Sequence, residues 1–136
     1  MSENQRSVMD LLQEAARGLL FTSEADAPIE PMIFPGAGKG PPDARTILEL
    51  THHPADAPVR TLSVDKFFEP ATREQTWHNA QERETVARFK QLVQTLKANL
   101  NDLQVFKIGE VESDVYVVGR SAAGDLAGVK TQVVET

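Results

Sequence analysis

The fold is decided by residues 103–136, which read LQVFKIGEVESDVYVVGRSAAGDLAGVKTQVVET. This stretch contains three runs rich in Val, Ile, Phe and Tyr, separated by turns that carry Gly, Ser or Asp: 105–108, 115–119 and 126–134. Such a pattern is typical of an antiparallel β-meander, with a Gly-containing hairpin loop at 121–125. In the middle run Val115 and Tyr116 point to opposite faces, and both are apolar. The sequence therefore predicts a sheet that helices cover on both sides.

Upstream of the meander the pattern predicts three helices. Apolar residues at helical spacing indicate a first helix over residues 4–20, with Gly18 near its end. Asp43 is a candidate N-cap for a short helix that ends by about His52. A long helix is expected from about Asn79, where Glu82 has the spacing of a capping box.

The remaining segments predict two strands and several turns. Residues 29–34 and 59–64 are expected to be strands, the first at a sheet edge because of Pro31. Residues 21–28 and 65–70 are expected to be turns, with Thr72 and Gln75 at capping-box spacing. The order α-β-α-β-α-β-β-β then predicts an α+β fold, as a three-layer α/β/α sandwich with a mixed sheet.

Length and composition are those of an ordinary globular protein. A chain of 136 residues buries about two-thirds of its unfolded surface, so residues 1–136 are expected to form one domain. The sequence has no cysteine, no apolar run long enough for a membrane span and no signal peptide at its N-terminus, which predicts a soluble protein of a reducing cytoplasm. The net charge of −6 disfavours nucleic acid as a partner and favours a basic protein surface.

Neither the Gly-rich run nor the three histidines predict a ligand-binding site. The run 36–40, Gly-Ala-Gly-Lys-Gly, lacks the Ser or Thr of a phosphate-binding loop, and Pro41 and Pro42 forbid the helix that should follow. We expect the Gly/Pro loop 35–42 to be a flexible surface loop. His52 and His53 are adjacent and His78 stands alone, so no metal-ligand pair at helical spacing exists, and all three are expected to be surface histidines.

Two other features leave alternatives open. Glu110, Glu112 and Asp114 alternate along one strand, which suits either a metal-dependent acid pair or, more commonly, a solvated face. Trp77 lies in a polar context between two caps. It either staples the long helix to the body of the protein or stays exposed as an interface anchor.

Several motifs of this chain occur together in one known family: residues 18–24 (GLLFTSE), Phe67, Phe68, Trp77 and above all residues 109–119 (GEVESDVYVVG), 123–128 (AGDLAG) and 133–136 (VVET). Through them the chain resembles, over essentially its whole length, the nuclease A inhibitor family, small bacterial proteins that bind sugar-non-specific, metal-dependent nucleases of the ββα-metal type. The resemblance implies a fold similar to the pathogenesis-related-1-like α/β/α sandwich.

The resemblance also implies a partner-binding site. The acid matching Glu24 would pair with a basic residue of the nuclease, the tryptophan matching Trp77 would pack at the interface, and the C-terminal Thr136 would reach the catalytic metal. A carboxylate and a hydroxyl at the chain end are the hard oxygen ligands that Mg²⁺ accepts. The expected partner-binding residues are Glu24, Trp77, Glu135 and Thr136, with Thr136 approaching only the metal of the partner.

These features together predict a non-enzymatic inhibitor of a metal-dependent DNA/RNA nuclease, without a cofactor, acting as a monomer in a one-to-one complex. The alternative is an acidic binding module of the same fold for another basic protein or a small ligand. A metal-dependent hydrolase that uses Glu110, Glu112 and Asp114 is a third interpretation.

Overall fold

Residues 7–135, which the computed structural model describes, form four helices and seven strands. In chain order they are α1 (Val8–Ala16), β1 (Leu20–Thr22), β2 (Asp26–Pro28), β3 (Glu30–Phe34), α2 (Ala44–Leu50), β4 (Val59–Leu62), α3 (Val64–Thr72), α4 (Ala80–Asn99), β5 (Leu100–Ile108), β6 (Glu112–Ser121) and β7 (Leu126–Val134). The protein is therefore α+β, as predicted. None of the described helices is both long enough and apolar enough to cross a bilayer.

The C-terminal meander forms the centre of a five-stranded sheet, ordered β3-β7-β6-β5-β4. The two long hairpins of the meander place Val117 opposite Val105 on one side and opposite Val129 on the other. β3 lies at one edge, as Pro31 predicted, because a proline cannot donate to a second neighbouring strand. The prediction of the meander and of its central position is confirmed.

The predicted mixed sheet is wrong, because every strand pairing in residues 7–135 is antiparallel. β3 and β4 run in the same direction, and a helix connects them, as in a parallel crossover. However, they lie at opposite edges of the sheet, with the three meander strands between them. Their parallel sense therefore never appears as a direct pairing.

The apolar side chains on the two faces of the sheet belong to two separate clusters. Val105, Val115 and Val117 pack with residues of α1, α3 and α4 on one face. Phe106, Tyr116 and Val118 pack with Ile47 and Leu48 of α2 on the other. Val115 and Tyr116 are both buried, which explains why this strand is apolar at successive positions.

The helix boundaries confirm most of the capping signals. Asp43 caps α2 by accepting a hydrogen bond from the Thr46 amide at 2.8 Å. Asn79 and Glu82 form a complete capping box at the start of α4. α1 ends at Ala16, and Gly18 follows with a φ of 73°, a left-handed conformation that glycine adopts without strain.

Two segments that were predicted as turns are regular structure. Residues 64–72 form α3, since Ser63 caps the helix and Val64, Phe67 and Phe68 bury one side of it. Phe67 stacks on Phe21, with ring centroids 4.6 Å apart. Phe21 itself lies in β1, which forms an antiparallel hairpin with β2 where turns were expected. The burial of these aromatic rings outweighs the local turn signals.

Candidate partner-binding surface

The turn between β1 and β2 is hydrogen-bonded to the end of β7. The Glu24 amide donates to the Val134 carbonyl at 3.2 Å, and the Val134 amide donates to Ser23 Oγ at 3.0 Å. Ser23 and Val134 are 111 residues apart in the chain. The Glu24 side chain is exposed at this turn. The structure thus brings Glu24, one predicted partner-binding residue, next to Val134, which immediately precedes Glu135.

Glu135 continues from β7 and is held by both its backbone and its side chain. Its amide donates to the Val111 carbonyl at 2.8 Å, in the turn between β5 and β6. Its carboxylate accepts a hydrogen bond from Lys107 Nζ and lies 3.8 Å from Arg60 Nη2. Burial lowers the pKa of Lys107, and the positive charge of Arg60 lowers it further. Thr136 lies outside the described residues.

Trp77 lies in the segment between α3 and α4 and exposes 71% of its surface. Its ring packs edge-on against His78, with centroids 4.4 Å apart. It also lines a groove of about 380 Å³ together with Leu20 and Thr22 of β1. Such exposure fits the interpretation of Trp77 as an interface anchor. A side chain that stapled the helix to the body of the protein would be less exposed.

The β1–β2 hairpin connects these positions into one surface. Thr22 lines the groove that contains Trp77, and Glu24, two residues later, lies against the end of β7. The large hydrophobic side chains that are exposed within residues 7–135 adjoin this surface: Leu20, Trp77 and Val111. An exposed apolar group beside carboxylates is suited to a partner with a basic, partly apolar surface.

Sequence reasoning missed three residues of this surface. Leu20 and Val111 are 49% and 52% exposed, although their apolar character predicts burial. Lys107 shows the opposite behaviour, since it is 9% exposed in the middle of an apolar strand. An isolated lysine within the run Val105–Ile108 was the signal that a charge partner must lie nearby.

The three acidic residues proposed as a possible metal site do not form one. Glu112 and Asp114 lie in β6, whereas Glu110 lies in the turn before it. Asp114 is occupied, because His53 Nε2 lies 2.8 Å from one of its oxygens and Gln132 Nε2 donates to the other at 3.1 Å. Among residues 7–135 no group of three or more His, Cys, Asp or Glu side chains is placed to hold a metal ion.

Two further predictions concern the histidines and the Gly/Pro loop. Of the three predicted surface histidines, His52 is exposed, whereas His53 and His78 are half-buried. The ring of His53 lies between Thr51 and Asp114. The loop 35–42 has no regular structure, but Arg120 is bound to it. The guanidinium donates to the carbonyls of Ala37, Gly38 and Gly40 at 2.8–3.2 Å. These contacts replace the water that a freely flexible loop would bind.

A family model described as nuclease A inhibitor-like protein matches residues 6–136. This range includes the hairpin turn, Trp77 and the C-terminal segment. No curated protein matches the chain.

Proposed function

Because the chain belongs to the nuclease A inhibitor-like family, we propose that it is a protein inhibitor of a sugar-non-specific, metal-dependent DNA/RNA nuclease and has no catalytic activity of its own. The observation that carries the proposal is the family match over residues 6–136. The net charge of −6 supports it, since it favours a basic partner and repels nucleic acid.

The binding surface of the inhibitor comprises Glu24, Trp77, Glu135 and Thr136. The hydrogen bonds between the hairpin turn and Val134 support this grouping, because they hold Glu24 beside the C-terminal segment. Trp77 supplies an exposed aromatic anchor in the groove that β1 of the same hairpin lines. Buried aromatic groups and desolvated charges contribute most of the affinity of protein interfaces.

The inhibitory contact is made by Thr136 at the metal of the nuclease. A terminal carboxylate and a hydroxyl are hard oxygen donors, the class of ligand that a divalent metal takes from a phosphodiester. A chain end in that position occupies the place of the substrate. Glu24 pairs with a basic residue of the nuclease and holds the complex in register.

The wider proposal concerns the whole chain. The two hydrophobic clusters on opposite faces of the sheet support a single domain with the three-layer α/β/α architecture of pathogenesis-related-1-like proteins. The inhibitor binds as a monomer, one to one, in the cytoplasm of the producing cell, and protects that cell from its own nuclease.

The test compares three chains that differ only after residue 135. Wild type, a chain lacking Thr136 and a chain extended by a short Gly-Ser tail are titrated against a ββα-metal nuclease, with DNA cleavage as the readout. Removing Thr136 moves the terminus back by about 3.3 Å, which is more than metal coordination tolerates. Both altered chains are expected to bind the nuclease but to inhibit it less well than wild type.

The same Gly-Ser tail at the N-terminus is the matched control and should leave inhibition unchanged. Identical inhibition by all the chains would show that the terminus stays outside the active site. If wild type neither binds nor inhibits such a nuclease, the proposed function is wrong. The alternative, an acidic module for another basic protein or a small ligand, then remains.

A further inference from the structure

Lys107 is a buried lysine whose ammonium group points towards the end of β7. It lies in β5, and alternation along this strand places it on the same face as Val105, the face that packs against α1, α3 and α4. Only 9% of its surface is exposed. Burying an ammonium group is costly unless an opposite charge and hydrogen bonds compensate for the lost water. The position of this lysine therefore requires a partner.

Glu135 is that partner, and a second cation reinforces the pair. Its carboxylate accepts a hydrogen bond from Lys107 Nζ. Arg60, which is directly opposite Lys107 in the β4–β5 ladder, places its guanidinium 3.8 Å from the same carboxylate. Lys107 of β5 and Arg60 of β4 thus both place a positive charge beside Glu135, the first residue after β7. This arrangement differs from the pair of Arg45 and Glu49, whose side chains are both largely exposed and which contributes little.

The backbone on either side of this contact is also held. The Glu135 amide donates to the Val111 carbonyl, and both backbone groups of Val134 are bonded to the Ser23–Glu24 turn. The contact between Lys107 and Glu135 adds a side-chain attachment to these backbone hydrogen bonds.

We propose that Lys107, assisted by Arg60, is a positioning residue: it acts through Glu135 to hold the end of β7 beside the Ser23–Glu24 turn in the arrangement that inhibits the nuclease. The inference rests on the proposed function, and it gives Glu135 a contact within the chain in addition to its place at the binding surface. A segment held in its bound direction loses less conformational freedom on binding, which favours affinity.

The experiment uses the full chain and two readouts. Lys107→Met keeps the length and shape of the side chain and removes the charge, and Glu135→Gln removes the opposite charge. The first readout is the inhibition constant against a ββα-metal nuclease. The second is hydrogen exchange of the Glu135 amide in the free protein, which needs no nuclease. The control is Lys97→Met, because Lys97 forms an ion pair with Asp65 at 2.7 Å on α4 and α3, away from β7.

Each single variant should raise the inhibition constant about tenfold and accelerate exchange of the Glu135 amide, as expected when contacting residues are coupled. The double variant should be no worse than either single variant, since both remove the same contact. Lys97→Met should leave both readouts within about twofold of wild type.

Protection of the Val117 amide at the sheet centre reports that the fold is intact. Arg60→Gln, at an exposed position, should raise the inhibition constant less than Lys107→Met does. It replaces Lys107→Met in the experiment if that variant fails to fold.

Unchanged inhibition by Lys107→Met overturns the positioning role, even if exchange of the Glu135 amide accelerates. Additive effects in the double variant also overturn it, because they would mean that Lys107 and Glu135 act separately. If wild type inhibits no nuclease, the proposed function fails. In that case the exchange data still show whether Lys107 holds Glu135.

Discussion

Trp77 and Phe67 show how differently two aromatic residues of one chain are used. Phe67 is 8% exposed and stacks on Phe21 in the core, whereas Trp77 is 71% exposed and touches mainly His78 and the rim of a groove. Removing Phe67 would therefore damage the fold. Removing Trp77 takes away little contact area within the chain. We therefore expect Trp77 to stabilise a complex with a partner and not the free protein.

Trp77→Ala should weaken the complex with a ββα-metal nuclease by about 2 kcal/mol or more, a loss of roughly 30-fold. The melting temperature of the free protein should stay within about 2 °C of wild type, because an exposed side chain contributes little to folding. Calorimetric titration and thermal unfolding measure the two quantities. Trp77→Phe is the control and should recover part of the affinity. Unfolding of the free Trp77→Ala protein would instead favour the helix-staple interpretation.

At the scale of the elements, the caps account for where the helices begin. α2 has seven residues, too few to be stable alone, and depends on its Asp43 cap and on packing of Ile47 and Leu48 against the sheet. α4 has twenty residues and a complete capping box. The shorter helix should therefore be the more sensitive of the two to loss of its cap.

Asp43→Ala should lower the free energy of unfolding by about 1 kcal/mol at neutral pH. The hydrogen bond from the Thr46 amide holds the pKa of Asp43 below its ordinary value. The stabilisation is therefore fully present above the ordinary aspartate pKa, near 3.8, and is lost as the pH falls through the lower pKa of the folded state. Denaturant unfolding at neutral and acidic pH measures both effects.

Asp43→Asn is the matched control, since asparagine also caps helices but does not titrate. It should unfold near wild type at neutral pH and lose less stability than wild type on acidification. If Asp43→Asn and wild type lose the same stability on acidification, the loss is caused by other carboxylates and not by Asp43.

At the scale of the whole molecule, charge should govern the rate of association. The net charge of −6 and the exposed Glu24, Glu110 and Glu112 create a field that attracts a basic partner. Within the chain, Glu135 is paired with Lys107 and Arg60.

The association rate constant with the nuclease should fall as the salt concentration rises from low to physiological values, because salt screens exposed charges. Stopped-flow or surface-binding kinetics at several ionic strengths measure it. Glu24→Gln should reduce the salt dependence and slow association, while Glu49→Gln on α2 serves as the control. An association rate that does not change with salt would mean that the acidic surface faces away from the partner.

The sequence by itself determined the parts of this protein that depend on local periodicity and capping. The alternation of residues 105–134 specified the meander and its two buried faces, and Asp43, Asn79 and Glu82 specified where two helices start. The family resemblance, which the match over residues 6–136 confirms, came from the same local motifs. These predictions are correct because each sequence signal lies within a few residues of the structure that it predicts.

Only the tertiary structure decided which distant residues meet. Pro70 and the polar residues around it indicated a turn, but burial of Phe67 and Phe68 stabilises a helix there. The strand order placed β3 and β4 at opposite edges and so made the sheet antiparallel throughout residues 7–135. The contacts of Ser23 with Val134 and of Lys107 with Glu135 likewise depend on the register of the whole sheet. No local pattern encodes such contacts, because their energies arise only when strands far apart in the chain are brought side by side.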